Sequence, residues 1–343
     1  MTMPAFRLER PRTVAEAVRL LAARGPEAMI VAGGTDVVPN LQMKLFAPQV
    51  LVDIKGLREL TAMEYSPDRG LRIGALATLT AIHDSPVVRE KFPVLWQAVG
   101  AIAGPLQRNM GTLGGNLCLE TRCVWYNQSY FWRKSLGGCL KHPMPNKYAA
   151  HPDTLCHVAP GGKFCWAAWS GDSAPALLTL DAEVEIAGPA SRGPSTRRLP
   201  LAQFYKNDGM NRIALGRDEL LTWVRVPARM AGRRGAYHKL RIRNSIDYPL
   251  AGVAVAMDVD AAGVCRDARV ALSAVNPAPL PVPEAAEWLA GQRPSPELVE
   301  RVAHRAIQIG KPLTTSHSTP VYRREMVKLF TRRALEQAWQ AAR

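Results

Sequence analysis

Apolar and polar positions alternate along this chain in two different rhythms. Residues 14–24 (VAEAVRLLAAR) carry the helical spacing and stop before Gly25-Pro26, which predicts a helix. A short apolar run at 29–32 follows and enters the turn Gly33-Gly34-Thr35-Asp36, which predicts a strand meeting a tight turn. Further strands are predicted at 50–54 and 71–73, the latter before the small-residue turn Gly74-Ala75, and a helix is predicted over 86–103. The rhythm disappears between 117 and 170, a stretch rich in Cys, Trp, Tyr, Gly, Pro and His. It resumes with a helical turn near 176 and strands at 182–186 and 220–226, the second ending at Pro227. After a linker at 228–235 come strands at 236–242, 250–258 and 267–275, a Pro-rich connection, and helices near 284–291, 296–309 and 319–341. Two units are therefore expected, 1–227 and 228–343.

Composition narrows the function classes. Hydrophobic residues at 47% and charged residues at 21% are ordinary for a globular chain of 343 residues. No run of about 18 apolar residues is present, so no membrane span is expected. The N-terminal residues lack a signal pattern, and the expected location is cytoplasmic. The net charge of +15 comes from scattered residues, densest at Arg197-Arg198, 233–243 and 323–333. Scatter of this kind argues against nucleic acid and for a basic surface suited to an acidic partner such as a redox protein.

The cysteines change the picture more. Five of six, Cys118, Cys123, Cys139, Cys156 and Cys165, fall inside the aperiodic segment, and only Cys265 lies outside it. A long stretch without secondary structure inside a compact domain needs another source of folding energy, and a metal centre supplies one. Four thiolates suit a 4Fe–4S cluster or a structural zinc, and the wide spacing suits a cluster at least as well. Cys118 and Cys265 read as buried, inert residues, and His142, His151 and His157 as surface residues.

Two glycine turns supply a second chemistry. Met29, Ile30, Val31 and Ala32 lead into Gly33, Gly34, Thr35 and Asp36, and a second element runs from Asn109 through Thr112, Gly114, Gly115 and Asn116. Paired glycines admit close approach and positive φ, and free N–H groups in such turns cradle phosphate. Neither turn matches the Rossmann fingerprint or a P-loop.

The order AGGTD, IGALATL, GTLGGN, SGDSAPAL and YHKLRIRNSID resembles the FAD-binding medium subunits of the molybdenum hydroxylase family. The resemblance implies an α+β fold: a two-part FAD-binding domain of vanillyl-alcohol-oxidase type over 1–227 and a small α/β C-terminal domain. It implies that both glycine turns hold the FAD diphosphate, that Asp172 binds the flavin's sugar-alcohol chain, that Lys239 lies near the isoalloxazine and that Ile102 packs on it. Taken alone, Gly171-Asp172-Ser173 also reads as a helix N-cap. The run TRCVWYNQSYFWRKSLGGCLK resembles the insert of the 4-hydroxybenzoyl-CoA reductase β subunit. That likeness assigns Cys123, Cys139, Cys156 and Cys165 as 4Fe–4S ligands in an insert over 117–170, with a longer stretch at 140–155 than the reductase has. It further implies a hetero-oligomer, such as a dimer of heterotrimers, with a 2Fe–2S small subunit and a molybdenum-cofactor large subunit. In it a ferredoxin-type donor would drive reductive dehydroxylation of an aromatic acyl-CoA. The alternatives are an oxidative molybdenum hydroxylase acting on an aromatic or N-heterocyclic substrate, and a zinc-stabilised binding protein without redox activity.

Overall fold

The computed structural model describes residues 3–144, 155–190 and 195–340. The chain opens with a small parallel sheet of β1 (Arg7–Glu9), β2 (Ala28–Val31) and β3 (Val50–Asp53), in the order β1-β3-β2. The helix Val14–Arg24 covers it. Thr13 caps that helix by accepting the Glu16 N–H at 3.1 Å, while the Glu16 carboxylate accepts the Arg12 N–H at 2.7 Å.

Two strands follow, β4 (Met63–Ser66) and β5 (Gly70–Gly74), and then helices. The single helix expected over 86–103 is two, Pro86–Lys91 and Pro93–Gly100. Pro93 has no N–H to continue the first helix and disfavours helical backbone at Phe92, whose φ is −135°. The aperiodic segment contains a two-residue ribbon, β6 (Gly138–Cys139) with β7 (His142–Pro143). Beyond it, β8 (Glu183–Ala187), β9 (Thr196–Pro200) and β10 (Leu220–Val226) complete an antiparallel sheet in the order β4-β5-β10-β8-β9.

The last sheet has the order β11-β12-β13-β14, from β11 (Arg234–Leu240), β12 (Ala251–Val259), β13 (Cys265–Ser273) and β14 (Leu280–Pro281). Successive side chains of a strand point to opposite faces. On β12, Ala251, Val253, Val255 and Met257 face a core shared with the C-terminal helices. Ala254 and Ala256, on the other face, join the core beneath the second sheet. This sheet is therefore buried on both faces. None of the described helices is long and apolar enough to cross a membrane.

Arg323, on the helix Pro320–Gln340, is 1% exposed. Its guanidinium donates to the carbonyls of Leu250 (2.7 Å), Leu313 (2.9 Å) and Ala274, and burial pulls its pKa down to about 10. It ties the last helix to the sheet. Replacing Arg323 with methionine leaves buried carbonyls unpaired and is expected to cost about 3 kcal/mol or more, read as a lower denaturant midpoint. An unchanged midpoint would remove this side chain from the framework.

Candidate cofactor site

A cavity of about 860 Å³ is lined by residues of the first sheet, of β10 in the second sheet and of the loop between β11 and β12. Its volume falls within the range of small-molecule and cofactor pockets. The strand β2 delivers Met29 and Ile30 to it, and the chain then turns through Ala32, Gly33, Gly34, Thr35 and Asp36, all of which line it. Gly34 has φ +74°, a conformation glycine adopts without strain. Gly33 abuts the second glycine turn so closely that a Cβ there would sit 1.9 Å from the Met110 carbonyl oxygen. Among the described residues, the N–H groups of Gly33 to Asp36 have no hydrogen-bond acceptor. Four successive free donors at the edge of a cavity form an anion-binding concavity.

The second turn behaves differently from expectation. Thr112, Gly114, Gly115 and Asn116 line the cavity. Their neighbourhood, however, uses its donors internally: Leu113 N–H bonds Ala77 O (3.0 Å), Gly114 N–H bonds Ala75 O (2.8 Å), and Gly115 N–H bonds Thr112 Oγ1 (3.1 Å). This turn is a wall packed on the chain after β5, not a second row of free donors. Asn116 Oδ1 accepts from Ser173 N (3.2 Å) and Ser173 Oγ (2.5 Å). That link closes the base of the long insertion, which is also zipped by paired bonds between Arg122 and Ala168 (2.7 and 2.8 Å).

Asp172 lines the cavity at the start of the helix Ser173–Thr179, but its side chain makes no capping bond there. Its carboxylate accepts Tyr237 Oη at 2.6 Å and Lys239 Nζ at 3.0 Å. Burial holds this carboxyl above the ordinary value, against the pull of Lys239 and Tyr237. Lys239 does not line the cavity: its ammonium is spent on Asp172 and on the Ala101 carbonyl at 2.9 Å. Lys239 therefore meets the cavity through Asp172, which lines it. Val31 also stays outside the lining, while Ile102 is part of it.

Sequence reasoning missed a clasp over this cavity. Asp36 Oδ1 accepts Arg122 Nη1 (3.1 Å) and Tyr248 Oη (2.9 Å), and the Arg122 guanidinium stacks 3.9 Å above the Tyr248 ring. The Asp36 charge is thereby offset, so it does not oppose an anion at the free N–H groups. Tyr248 stands just beyond the basic run YHKLRIRNSID, the nearest sequence signal to it.

A second, smaller cavity lies within the insertion. Cys123, Cys139, Cys156 and Cys165 all border it, with Trp125, Tyr126, Lys141 and Trp166. Burial pushes the thiols of Cys123 and Cys165 up to about 12 and about 11. The donor set is that of a thiolate-bound centre, and a Cβ at Gly209 would lie 2.8 Å from Cys165 Sγ, so glycine leaves that thiol its room. Among the described residues no group of three or more His, Cys, Asp or Glu side chains is placed to hold a metal ion. The expected ligands border one space without standing at ligand spacing, Cys123 and Cys165 buried and Cys139 and Cys156 half-buried. Cys118 lines the larger cavity instead, and Cys265 lies in β13, far along the chain.

The histidines depart from the expected surface positions. His157 is half-buried, stacks on Trp125 at 4.8 Å and lies 2.7 Å from the Gly138 carbonyl. His142 is also half-buried and faces Arg133 at 3.3 Å. His151 and most of the stretch 140–155 lie outside the described residues.

The two cavities are neighbours along the backbone. Cys118, Leu119, Glu120 and Arg122 line the larger, and Cys123 borders the smaller. Between them Lys141 Nζ donates to Glu120 Oε1 and Thr121 Oγ1, both at 2.5 Å.

Comparison with known proteins fits this geometry. A family model for the FAD binding domain in molybdopterin dehydrogenase matches residues 4–229, and one for the CO dehydrogenase flavoprotein C-terminal domain matches residues 235–338. The chain is 35% identical over 280 residues to the aldehyde oxidoreductase FAD-binding subunit PaoB of Escherichia coli (strain K12), spanning 80% of this chain and 82% of that one. It is 28% identical to the carbon monoxide dehydrogenase medium chain of Hydrogenophaga pseudoflava, with 99% of each chain covered. A crystal structure of Cu,Mo-CO dehydrogenase in its cyanide-inactivated form matches with a TM-score of 0.79 and 26% identity over the whole of both chains.

Proposed function

Because this chain belongs to the family of FAD-binding medium subunits of molybdenum hydroxylases, of the carbon monoxide and xanthine dehydrogenase type, we propose that it holds FAD in the larger cavity and a 4Fe–4S cluster among the cysteines of its insertion. Together the two groups supply single-electron exchange between a partner subunit and an external carrier. One observation carries this reading: Arg122 lines the flavin cavity and Cys123, the next residue, borders the thiol cavity.

The residues divide the work as follows. The N–H groups of Gly33, Gly34, Thr35 and Asp36 bind the diphosphate, with Met29, Ile30, Val31 and Ala32 bringing them into place. Thr112, Gly114, Gly115 and Asn116 form the opposing wall. Asp172 accepts hydroxyl hydrogen bonds from the sugar-alcohol chain, Lys239 positions Asp172, and Ile102 excludes water beside the ring. Cys123, Cys139, Cys156 and Cys165 hold the cluster as thiolates, which requires each to give up its proton on loading.

The partners we propose are a 2Fe–2S small subunit and a molybdenum-cofactor large subunit, with a ferredoxin-type carrier meeting the basic surface in the cytoplasm. The direction is oxidative. The relatives are named as an aldehyde oxidoreductase and a carbon monoxide dehydrogenase, which favours this reading over the reductive dehydroxylation implied by the resemblance to 4-hydroxybenzoyl-CoA reductase.

The test is metal content. The chain purified without oxygen is expected to contain about four irons and matching sulfide. Changing Cys123, Cys139, Cys156 or Cys165 to serine is expected to remove the iron and leave the flavin, whereas Cys118→Ser keeps both. Zinc in place of iron, or iron lost equally from Cys118→Ser, would overturn the cluster assignment.

A further inference from the structure

The charges around the thiol cavity are lopsided. Among the described residues no Asp or Glu borders it, although Asp208 accepts the Cys165 N–H at 3.3 Å from outside the lining. Lys141 borders it, but its ammonium is paired with Glu120 at 2.5 Å. Arg133, on the short helix Tyr130–Ser135, is different. It is 2% exposed, and its guanidinium donates to the carbonyls of Gln128 (3.2 Å), Met43 (3.0 Å) and Lys44 (2.9 Å). Its remaining contacts are His142 Nδ1 at 3.3 Å and Met144 Sδ at 3.6 Å. No carboxylate among the described residues pairs with it. Arg133 faces His142, whose strand partner is Cys139 in the β6–β7 ribbon, and Tyr126, which borders the cavity, lies against the same imidazole with ring centroids 6.3 Å apart.

A buried cation without a counter-charge is costly, and carbonyl dipoles offset only part of that cost. Such a charge is stable where a negative group comes within reach. Four thiolates around an iron–sulfur cluster are such a group, and they would assemble beside this side chain.

We propose that Arg133 is a positioning residue that sets the potential of the cluster in the cysteine insertion, by supplying the counter-charge that favours its reduced form. This rests on the cluster assignment made above. Reduction adds one negative charge to the cluster. A fixed cation in a low-dielectric surrounding stabilises the reduced form more than the oxidised one and raises the potential. Tethered to three carbonyls, the guanidinium cannot swing out to water.

The experiment is a redox titration of the purified holoprotein, following the cluster by electron paramagnetic resonance, with iron and flavin contents measured on the same samples. In Arg133→Gln the reduced-to-oxidised ratio at fixed ambient potential is expected to fall about tenfold, a shift of about 59 mV for a one-electron couple. Arg133→Lys, which keeps the charge but fewer bonds, is expected to stay near the parent. Met144→Glu would place a carboxylate against Arg133 without removing any of its carbonyl bonds. It is expected to lower the potential as Arg133→Gln does, while Met144→Gln leaves it unchanged. If Arg133→Gln takes up no iron, the Met144 pair decides the question. Equal potentials in parent, Arg133→Gln and Met144→Glu at full iron content would overturn the proposal, as would equal shifts in Arg133→Lys and Arg133→Gln. A parent chain without iron would instead sink the cluster reading itself, a separate outcome visible before any variant is made.

Discussion

Gly33→Ala is expected to leave a folded chain that binds FAD about tenfold to a hundredfold more weakly, or 1.4–2.8 kcal/mol. The added methyl would lie 1.9 Å from the Met110 carbonyl oxygen and 2.6 Å from its carbon. Those are backbone atoms, so no side-chain rotation relieves the clash, and the two glycine turns must part. Their separation displaces the row of free N–H groups proposed to hold the diphosphate. Gly25→Ala is the matched control. It also has positive φ, +52°, but nothing lies within 4 Å of its added Cβ. It is expected to cost about 1–3 kcal/mol of stability through its backbone conformation and to leave flavin affinity unchanged. Quenching of free flavin fluorescence on titration with apoprotein measures both. Parent-like affinity in Gly33→Ala would mean that the apposed turns do not grip the cofactor.

Asp172→Ala is expected to destabilise the protein by about 3–5 kcal/mol, more than the loss of its own bonds explains. The Asp172 and Lys239 side chains are 4% and 3% exposed, and their charged atoms lie 3.0 Å apart. Removing the carboxylate strands the ammonium in the interior with only the Ala101 carbonyl for company. Lys239→Met should then be far less harmful in the Asp172→Ala background than in the parent. The double variant should recover at least about 1 kcal/mol relative to the sum of the single changes. Urea denaturation of the four proteins closes the cycle. Simple additivity would show that Lys239 does not act through Asp172.

Elements whose cause is local were legible in the sequence. The helix Val14–Arg24 and the turn after β2 announce themselves through apolar spacing and paired glycines. The break at Pro93 was equally local, yet the apolar run on either side of it masked the interruption. Three-residue β1 offers too little pattern to be found, and β9 reads Thr-Arg-Arg-Leu-Pro, a polar edge strand without an apolar face. The site was legible as residue types but not as pairings. That Lys239 is held by Asp172 is decided across 67 positions, and that Tyr248 reaches Asp36 across 212. Nothing near any of these residues signals its partner. The donors of the second glycine turn look free in sequence, and only the return of the chain past Ala75 and Ala77 consumes them. The cysteines gave their chemistry away by clustering. That Cys123 and Cys165 share a space follows from the Arg122–Ala168 ladder, which brings the two ends of the insertion together.

The most direct test of a two-centre electron relay within one chain is to count its electrons. The purified holoprotein would be titrated anaerobically with a calibrated reductant while its visible spectrum is recorded. The account predicts about three electron equivalents per chain, two taken by the flavin and one by the cluster. An end point at about two equivalents, with only flavin bleaching, would contradict it and leave a medium subunit whose cysteine insertion carries no redox centre.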